Sequence, residues 1–209
     1  MIDVIDTICS GLVYLLGKQN AKGQWLDFNL PRGPREIWVT AYVGDSLTYA
    51  GKVVSDDGLR ESLSKAADWI VKNMNNDFGW GYNTRTVTDA DSTGHSIIFL
   101  ASLGRQVDDG SFNRLMDFQK HDGGFCTYLV GDESNSWGDS HPDITPVALM
   151  ALLNKIKPDN DVVRRGATYV LDHRGADGLW QSFWTNTFLY STAANLLSLI
   201  HISEPTRPY

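Results

Sequence analysis

Between Val87 and Ser96 the sequence reads V-T-D-A-D-S-T-G-H-S, immediately ahead of the apolar run I-I-F-L-A-S-L. Two carboxylates, Asp89 and Asp91, the His95 imidazole and several hydroxyls are thus gathered at the start of a helical pattern. Such a group suits proton donation. An acid that stays protonated near neutral pH needs its charged form disfavoured, and a neighbouring carboxylate does this by like-charge repulsion. Asp89 fills that role for Asp91. If the helix begins near Asp91, His95 lies four residues on and shares its face, close enough to bond the carboxyl. The same residue types also cap helices, satisfying exposed N–H groups and suiting the positive end of the dipole. D-I-T at Asp143 to Thr145 repeats the second half of D-A-D-S-T. Asp91-Ser92-Thr93 therefore reads in part as a cap, which requires neither Asp89 nor His95. Both readings stay open on the sequence.

The elements that position these residues follow from self-comparison. Four glycine-aromatic anchors recur, with aromatic residues Trp25, Trp80, Phe125 and Trp180 at spacings of 55, 45 and 55. An amphipathic helical pattern precedes each anchor, as in Leu59, Leu63, Ala66, Ala67, Ile70, Val71 and Met74, and a more apolar helix follows it. Each of these second helices has a threonine near its start, at Thr40, Thr93, Thr145 and Thr192, 53, 52 and 47 residues apart. Strand signals are nearly absent. Helix pairs at this period stack as an array or close into a ring, with polar-capped helices in one layer and amphipathic ones in the other. The fold class is all-α.

L-L-G-K-Q-N-A-K-G-Q-W, D-F-Q-K-H-D-G-G-F and Y-V-L-D-H-R-G-A-D-G-L-W resemble the Gln-Trp-type repeats of the squalene-hopene cyclase and prenyltransferase β-subunit superfamily. The resemblance runs through residue 196 and implies an α/α toroid, whose inner helices line a cavity. The four helix pairs here imply an incomplete ring, with an apolar face exposed to aggregation. Thr88 to Thr93 also resembles the Asp-x-Asp-Asp-Thr-Ala signature of protonation-initiated (class II) terpene cyclases, in which the position matching Asp91 protonates an alkene or epoxide. Ser92 and Gly94 depart from that signature. The resemblance implies an isomerase acting on a polyprenyl or squalene-type substrate, with Asp91, Asp89 and His95 as its catalytic group and no cofactor.

The carbocation so formed needs aromatic faces. Trp38, Tyr42, Phe183, Trp184 and Tyr190 lie at or near the starts of the expected inner helices, whereas the anchor aromatics read as packing residues. The polar insertion S-N-S-W-G-D-S-H-P-D, Ser134 to Asp143, brings His141 and Asp139 as a second acid/base pair or a partner for Asp91, and equally reads as a turn before a capped helix. Cys126 lacks the Asp-x-Cys arrangement of the zinc prenyltransferases and reads as a core residue, so no metal is expected. The acidic pairs Asp56-Asp57, Asp108-Asp109 and Asp132-Glu133 read as solvated loop charge.

The 209 residues, 42% hydrophobic and 21% charged, are enough for one domain with a sizeable core. A net charge of −7 without any Lys/Arg cluster argues against nucleic acid as a partner. Two cysteines, an acidic start and no long apolar run fit a cytoplasmic protein, with peripheral membrane contact left open. Leu197 to Pro208, L-S-L-I-H-I-S-E-P-T-R-P, resembles an in-frame translation of a sequencing adapter, so residues 1–196 are expected to be the native toroid domain and 197–209 a foreign tail. Besides the cyclase, two alternatives are carried: a non-catalytic toroid binding a protein or an isoprenoid lipid, and a zinc prenyltransferase-like transferase.

Overall fold

The computed structural model describes residues 4–27, 29–129 and 136–204. Among them eight α-helices form four pairs: α1 (Val4–Lys18) with α2 (Ile37–Ala50), α3 (Asp57–Lys72) with α4 (Ala90–Ser102), α5 (Asp109–Met116) with α6 (Thr145–Leu152), and α7 (Asp161–Asp172) with α8 (Leu189–Ser203). A short hairpin, β1 (Asn29–Leu30) with β2 (Gly33–Pro34), precedes α2. The even-numbered helices make an inner layer in which α2 packs on α4, α4 on α6 and α6 on α8. The odd-numbered helices lie outside, α3 against α2 and α4, α5 against α4 and α6, and α7 against α6 and α8. This is a run of α/α-toroid sectors.

Layer follows from pattern. α3 buries Leu59, Leu63, Ala66, Ala67 and Ile70, one stripe at helical spacing, and leaves its other face wet. α4 and α6, wrapped on both sides, are buried almost all round. Side-chain caps belong mostly to the outer layer, contrary to expectation: Asp56, Asp108 and Asn160 each accept from a backbone N–H in the first turn of α3, α5 and α7. Two of the acidic pairs thus begin helices instead of decorating loops, and Asp132-Glu133 lies outside the described residues. Of the inner helices only α4 has a side-chain cap; α2, α6 and α8 have none.

The repeated threonine is a clamp. Its Oγ1 accepts the backbone N–H of the anchor aromatic in every repeat: Trp25 to Thr40 at 3.1 Å, Trp80 to Thr93 at 3.0 Å, Phe125 to Thr145 at 2.9 Å and Trp180 to Thr192 at 3.1 Å. The indole N–H of the three tryptophans donates to the carbonyl ten residues earlier, Leu15, Ile70 and Val170, near the end of the preceding outer helix. One buried aromatic therefore ties the outer helix of a pair to the inner one. Gln19 and Gln119 join successive pairs, each amide donating to the anchor glycine carbonyl and to Ser62 or Val162 of the next outer helix.

The anchor turn needs a left-handed residue. Gly123 has φ +91°, and a Cβ there would fall 2.4 Å from the Arg165 carbonyl oxygen. In the second repeat Phe78 takes the same conformation, φ +66°, and its ring covers Gly110. Apolar side chains are exposed on the first and last helices, Val13 and Tyr14 on α1 and Leu189, Leu196 and Ile200 on α8. α8 runs on past Leu196, with Leu199 and Ile202 packed against the core.

Candidate active site

The cap of α4 is Asp89. Its Oδ1 accepts from Ser92 N at 2.6 Å and its Oδ2 from Ser92 Oγ at 2.9 Å. This reverses the division expected from the sequence, in which Asp91-Ser92-Thr93 was the cap and Asp89 was surplus to it. Thr93 is instead the clamp on Trp80, and Asp91 stands inside the first turn with no capping duty. Asp143 does not cap α6 either. Its Oδ2 accepts from Ser182 Oγ and from the backbone N–H groups of Phe183, at 2.9 Å, and Trp184, at 3.0 Å. What D-A-D-S-T and D-I-T share is the threonine; their carboxylates do different work.

The surroundings of Asp91 favour its neutral form. Burial pushes its pKa well above the ordinary carboxylate value, and the charges of Asp89 and Asp143 push the same way; the Trp38 indole and the Arg35 guanidinium oppose them. The side chain keeps 18% of its surface open, but Oδ1 is sealed and has no hydrogen-bond partner. His95 Nε2 is 3.5 Å from it, one helical turn on, and 2.9 Å from the Tyr190 hydroxyl. Burial drives the His95 pKa down to about 3, so the ring is neutral and contributes no positive charge to the site. Asp89, also buried, is raised to about 7, its bonds from Ser92 working against the burial. A buried carboxyl whose neutral form is favoured, beside two further carboxyls, suits a general acid.

A cavity of about 870 Å³ opens among the four inner helices. Tyr42, His95 and Tyr190 stand in its wall, together with apolar groups such as Ile98, Val147 and Ala194. Tyr42 stacks on Trp38 with centroids 5.1 Å apart, and the His95 ring meets both edge-on at 5.4 and 5.3 Å. Trp38 lies one turn before Tyr42 on α2 and is outside the wall, its ring engaged by Tyr42 and by the Arg35 guanidinium at 4.8 Å.

Phe183 and Trp184 also stand apart from that wall. They belong to the loop ahead of α8, not to the helix, because Asp143 binds their backbone N–H groups. The Trp184 indole donates to Thr127 Oγ1 at 2.9 Å, and its ring contacts Trp137 at 5.6 Å. His141 stacks on Phe183 at 3.9 Å with its Nε2 buried and unpartnered. Among the described residues no hydrogen bond or ion pair joins it to Asp91 or Asp139, and burial lowers its pKa. Ser134 and Asn135 of that insertion lie outside the described residues.

Three functional candidates escaped the sequence: Asp143, taken for a cap; Arg35, which lies outside any motif; and Asp45. The last had a visible signal, a lone carboxylate within the otherwise apolar W-V-T-A-Y-V-G-D-S-L. Cys126 is a core residue, its Sγ 3.5 Å from the Phe118 carbonyl, and among the described residues no three His, Cys, Asp or Glu side chains converge as a metal site. Nor is any helix among them long and apolar enough to cross a membrane.

No protein-family model matches the chain. Sporulenol synthase of Bacillus subtilis (strain 168) is 23% identical over 226 residues, a match that takes in 95% of this chain and 33% of that protein. Type II terpene cyclase MstE from Scytonema superposes with a TM-score of 0.77 at 24% identity, covering 97% of this chain and 59% of MstE. A variant of MstE in complex with its substrate, geranylgeranyl dihydroxybenzoate, gives the same TM-score at 25% identity over 95% of this chain and 59% of that one. A more distant match is ent-copalyl diphosphate synthase from Streptomyces platensis, with a TM-score of 0.56 at 16% identity, over 90% of this chain and 37% of that one. The chain thus spans a third of the length of sporulenol synthase and about three fifths of that of MstE.

Proposed function

We propose that this chain, whose fold is that of the squalene-hopene cyclase-like superfamily, carries the proton donor of a class II terpene cyclase and initiates cyclisation of a polyprenyl substrate. The observation that carries this reading is the buried Asp91 carboxyl, its pKa raised, one helical turn from His95, which with its partner Tyr190 stands in the wall of a tyrosine-bearing cavity. Asp91 gives its proton to a terminal alkene carbon, the alkene electron pair forming the new C–H bond and leaving a tertiary cation on the neighbouring carbon. The next double bond attacks that cation, and rings close in turn.

Each neighbour of Asp91 has a part in this. The charges of Asp89 and Asp143 oppose ionisation of the resting acid. His95 and Tyr190, bonded to each other, form the wall between α4 and α8 next to it. The Tyr42 and Tyr190 rings offer faces to the travelling cation, worth up to ~2 kcal/mol each when desolvated. That sporulenol synthase and the substrate-bound MstE are similar to this chain supports an isoprenoid as the substrate class.

The test is turnover of squalene and geranylgeranyl dihydroxybenzoate in D2O. Wild type should place one deuterium at the initiating carbon of a cyclised product, and Asp91→Asn should yield no cyclised product while keeping its helical circular dichroism. Cyclisation by Asp91→Asn at the wild-type rate would sink the donor role.

A further inference from the structure

The cavity wall holds a carboxyl that the initiating step does not use. Asp45, on α2, lies there with Oδ1 buried and without a hydrogen-bond partner. The Ser102 hydroxyl, which bonds the Phe99 carbonyl at 2.8 Å, also reaches the Asp45 carboxylate. Ser102 also fixes where Asp45 lies. It ends α4 as Asp91 begins it, and the eleven residues from 91 to 102 put about 16 Å between them at 1.5 Å per residue. Asp45 thus stands in the cavity wall at one end of α4, while Asp91 lies at the other end, where its neighbour His95 lines the same cavity.

A cyclisation begun by adding a proton at one end leaves a cation that has migrated toward the other. Resting on the cyclase reading above, we propose that Asp45 is the base that ends the reaction. Its carboxylate takes a proton from the carbon next to the final cation; that C–H electron pair becomes the product double bond, and the proton moves to Asp45 Oδ1. The step returns to the protein the proton that Asp91 gave up, so no co-reactant is needed.

The environment suits this task. Burial raises the Asp45 pKa to about 6, with Ser102 and Lys52 pulling it back, so at neutral pH the group is an anion poised to accept a proton. An anion there also attracts an arriving cation, at a position fixed by the protein. The other titratable groups facing this end are Tyr49, whose pKa is raised by burial and by Asp45 itself, Lys52, over the Tyr49 ring at 4.6 Å, and His201 from α8, whose pKa burial lowers.

The experiment compares products of the full chain and of Asp45→Asn, with squalene and geranylgeranyl dihydroxybenzoate as probes in D2O. The variant should still consume substrate and place deuterium at the initiating carbon. Its main cyclic alkene should fall about tenfold or more, replaced by water-captured alcohols or by alkenes from proton loss elsewhere. Asp45→Glu, which keeps the carboxylate on a longer arm, should shift the position of the double bond, and carries the test if Asp45→Asn loses its helical circular dichroism. An unchanged product pattern in both variants, or a change that follows His201→Gln instead, overturns the assignment while initiation by Asp91 stands. Wild type that fixes no deuterium in either probe overturns the cyclase reading, and the role of Asp45 with it.

Discussion

Asp91 Oδ1 and His95 Nε2 stand 3.5 Å apart on successive turns of α4, and the same Nε2 lies 2.9 Å from the Tyr190 hydroxyl. The imidazole is committed to the tyrosine, so the acid is not locked in a short bond to it. With His95 neutral down to about pH 3, the protonation that matters near neutrality is that of Asp91 itself.

Activity should therefore fall on the alkaline side, as Asp91 ionises, and Asp143 helps to set where. Its charge raises the Asp91 pKa, while its Oδ2 only accepts hydrogen bonds, a task an amide oxygen performs as well. Asp143→Asn should keep the 182–184 loop in place and move the alkaline limb of the kcat profile to lower pH. A profile that does not move would show that Asp143 acts on Asp91 only through structure.

Asp89 should leave its mark on stability. Its pKa is about 7 in the folded protein against an ordinary 3.8. Between these values the unfolded chain releases a proton that the folded chain keeps, so stability falls as pH rises from about 4 to about 7 and is level above. His95 works in the opposite sense, its stability contribution being lost as pH falls from 6.5 through about 3. Asp89→Asn retains a cap acceptor for Ser92 N and isolates the first effect. Urea unfolding across pH 4 to 8 should show the variant gaining on wild type as pH rises, with the gain complete near pH 7.

The threonine clamp can be tested where it supports the acid. Thr93 is fully buried, and removing its hydroxyl leaves the Trp80 N–H unpaired in the core. Thr93→Val, nearly the same shape, should cost about 1 to 3 kcal/mol of unfolding free energy. Thr40→Val should lose a similar amount at Trp25, a site far from Asp91 in sequence, with less effect on turnover.

Much of this was legible in the sequence because it is periodic. The anchors, the threonines and the alternation of amphipathic and apolar helices recur four times, and the i, i+4 relation of Asp91 to His95 follows from helical geometry alone. The cap was misplaced by two residues. Asp89 and Asp91 are equally good caps by type, and the choice between them is made by where Trp80 and Thr93 lock the helix start, which is tertiary. Asp143 looked like a cap for the same reason, since its true partners lie 39 to 41 residues away. Phe183 and Trp184 were expected at or near the start of an inner helix; they lie in the loop just ahead of α8, where Asp143 binds their backbone, a contact no local pattern encodes.

Gly94, a departure from the cyclase signature, has a cause in packing. A Cβ there would lie 2.8 Å from Val147 Cγ1 and 3.5 Å from the Val147 carbonyl carbon and oxygen, at the crossing of α4 and α6. Alanine is worth about 1 kcal/mol more than glycine inside a helix, whereas forcing a methyl into a filled core costs roughly 1 to 3 kcal/mol. A branched side chain held by its own helix cannot swing clear, so the second term wins and Gly94→Ala should destabilise. The clash names its partner. Val147→Ala alone should also destabilise, by opening a small cavity, but the two substitutions together should cost less than their sum, by about 1 kcal/mol or more, in a double-mutant cycle read by thermal or urea unfolding. Strict additivity would mean that α6 shifts as a body to admit the methyl. In that case the shift should carry Asp143 away from Asp91 and move the alkaline limb of activity to lower pH, as Asp143→Asn does.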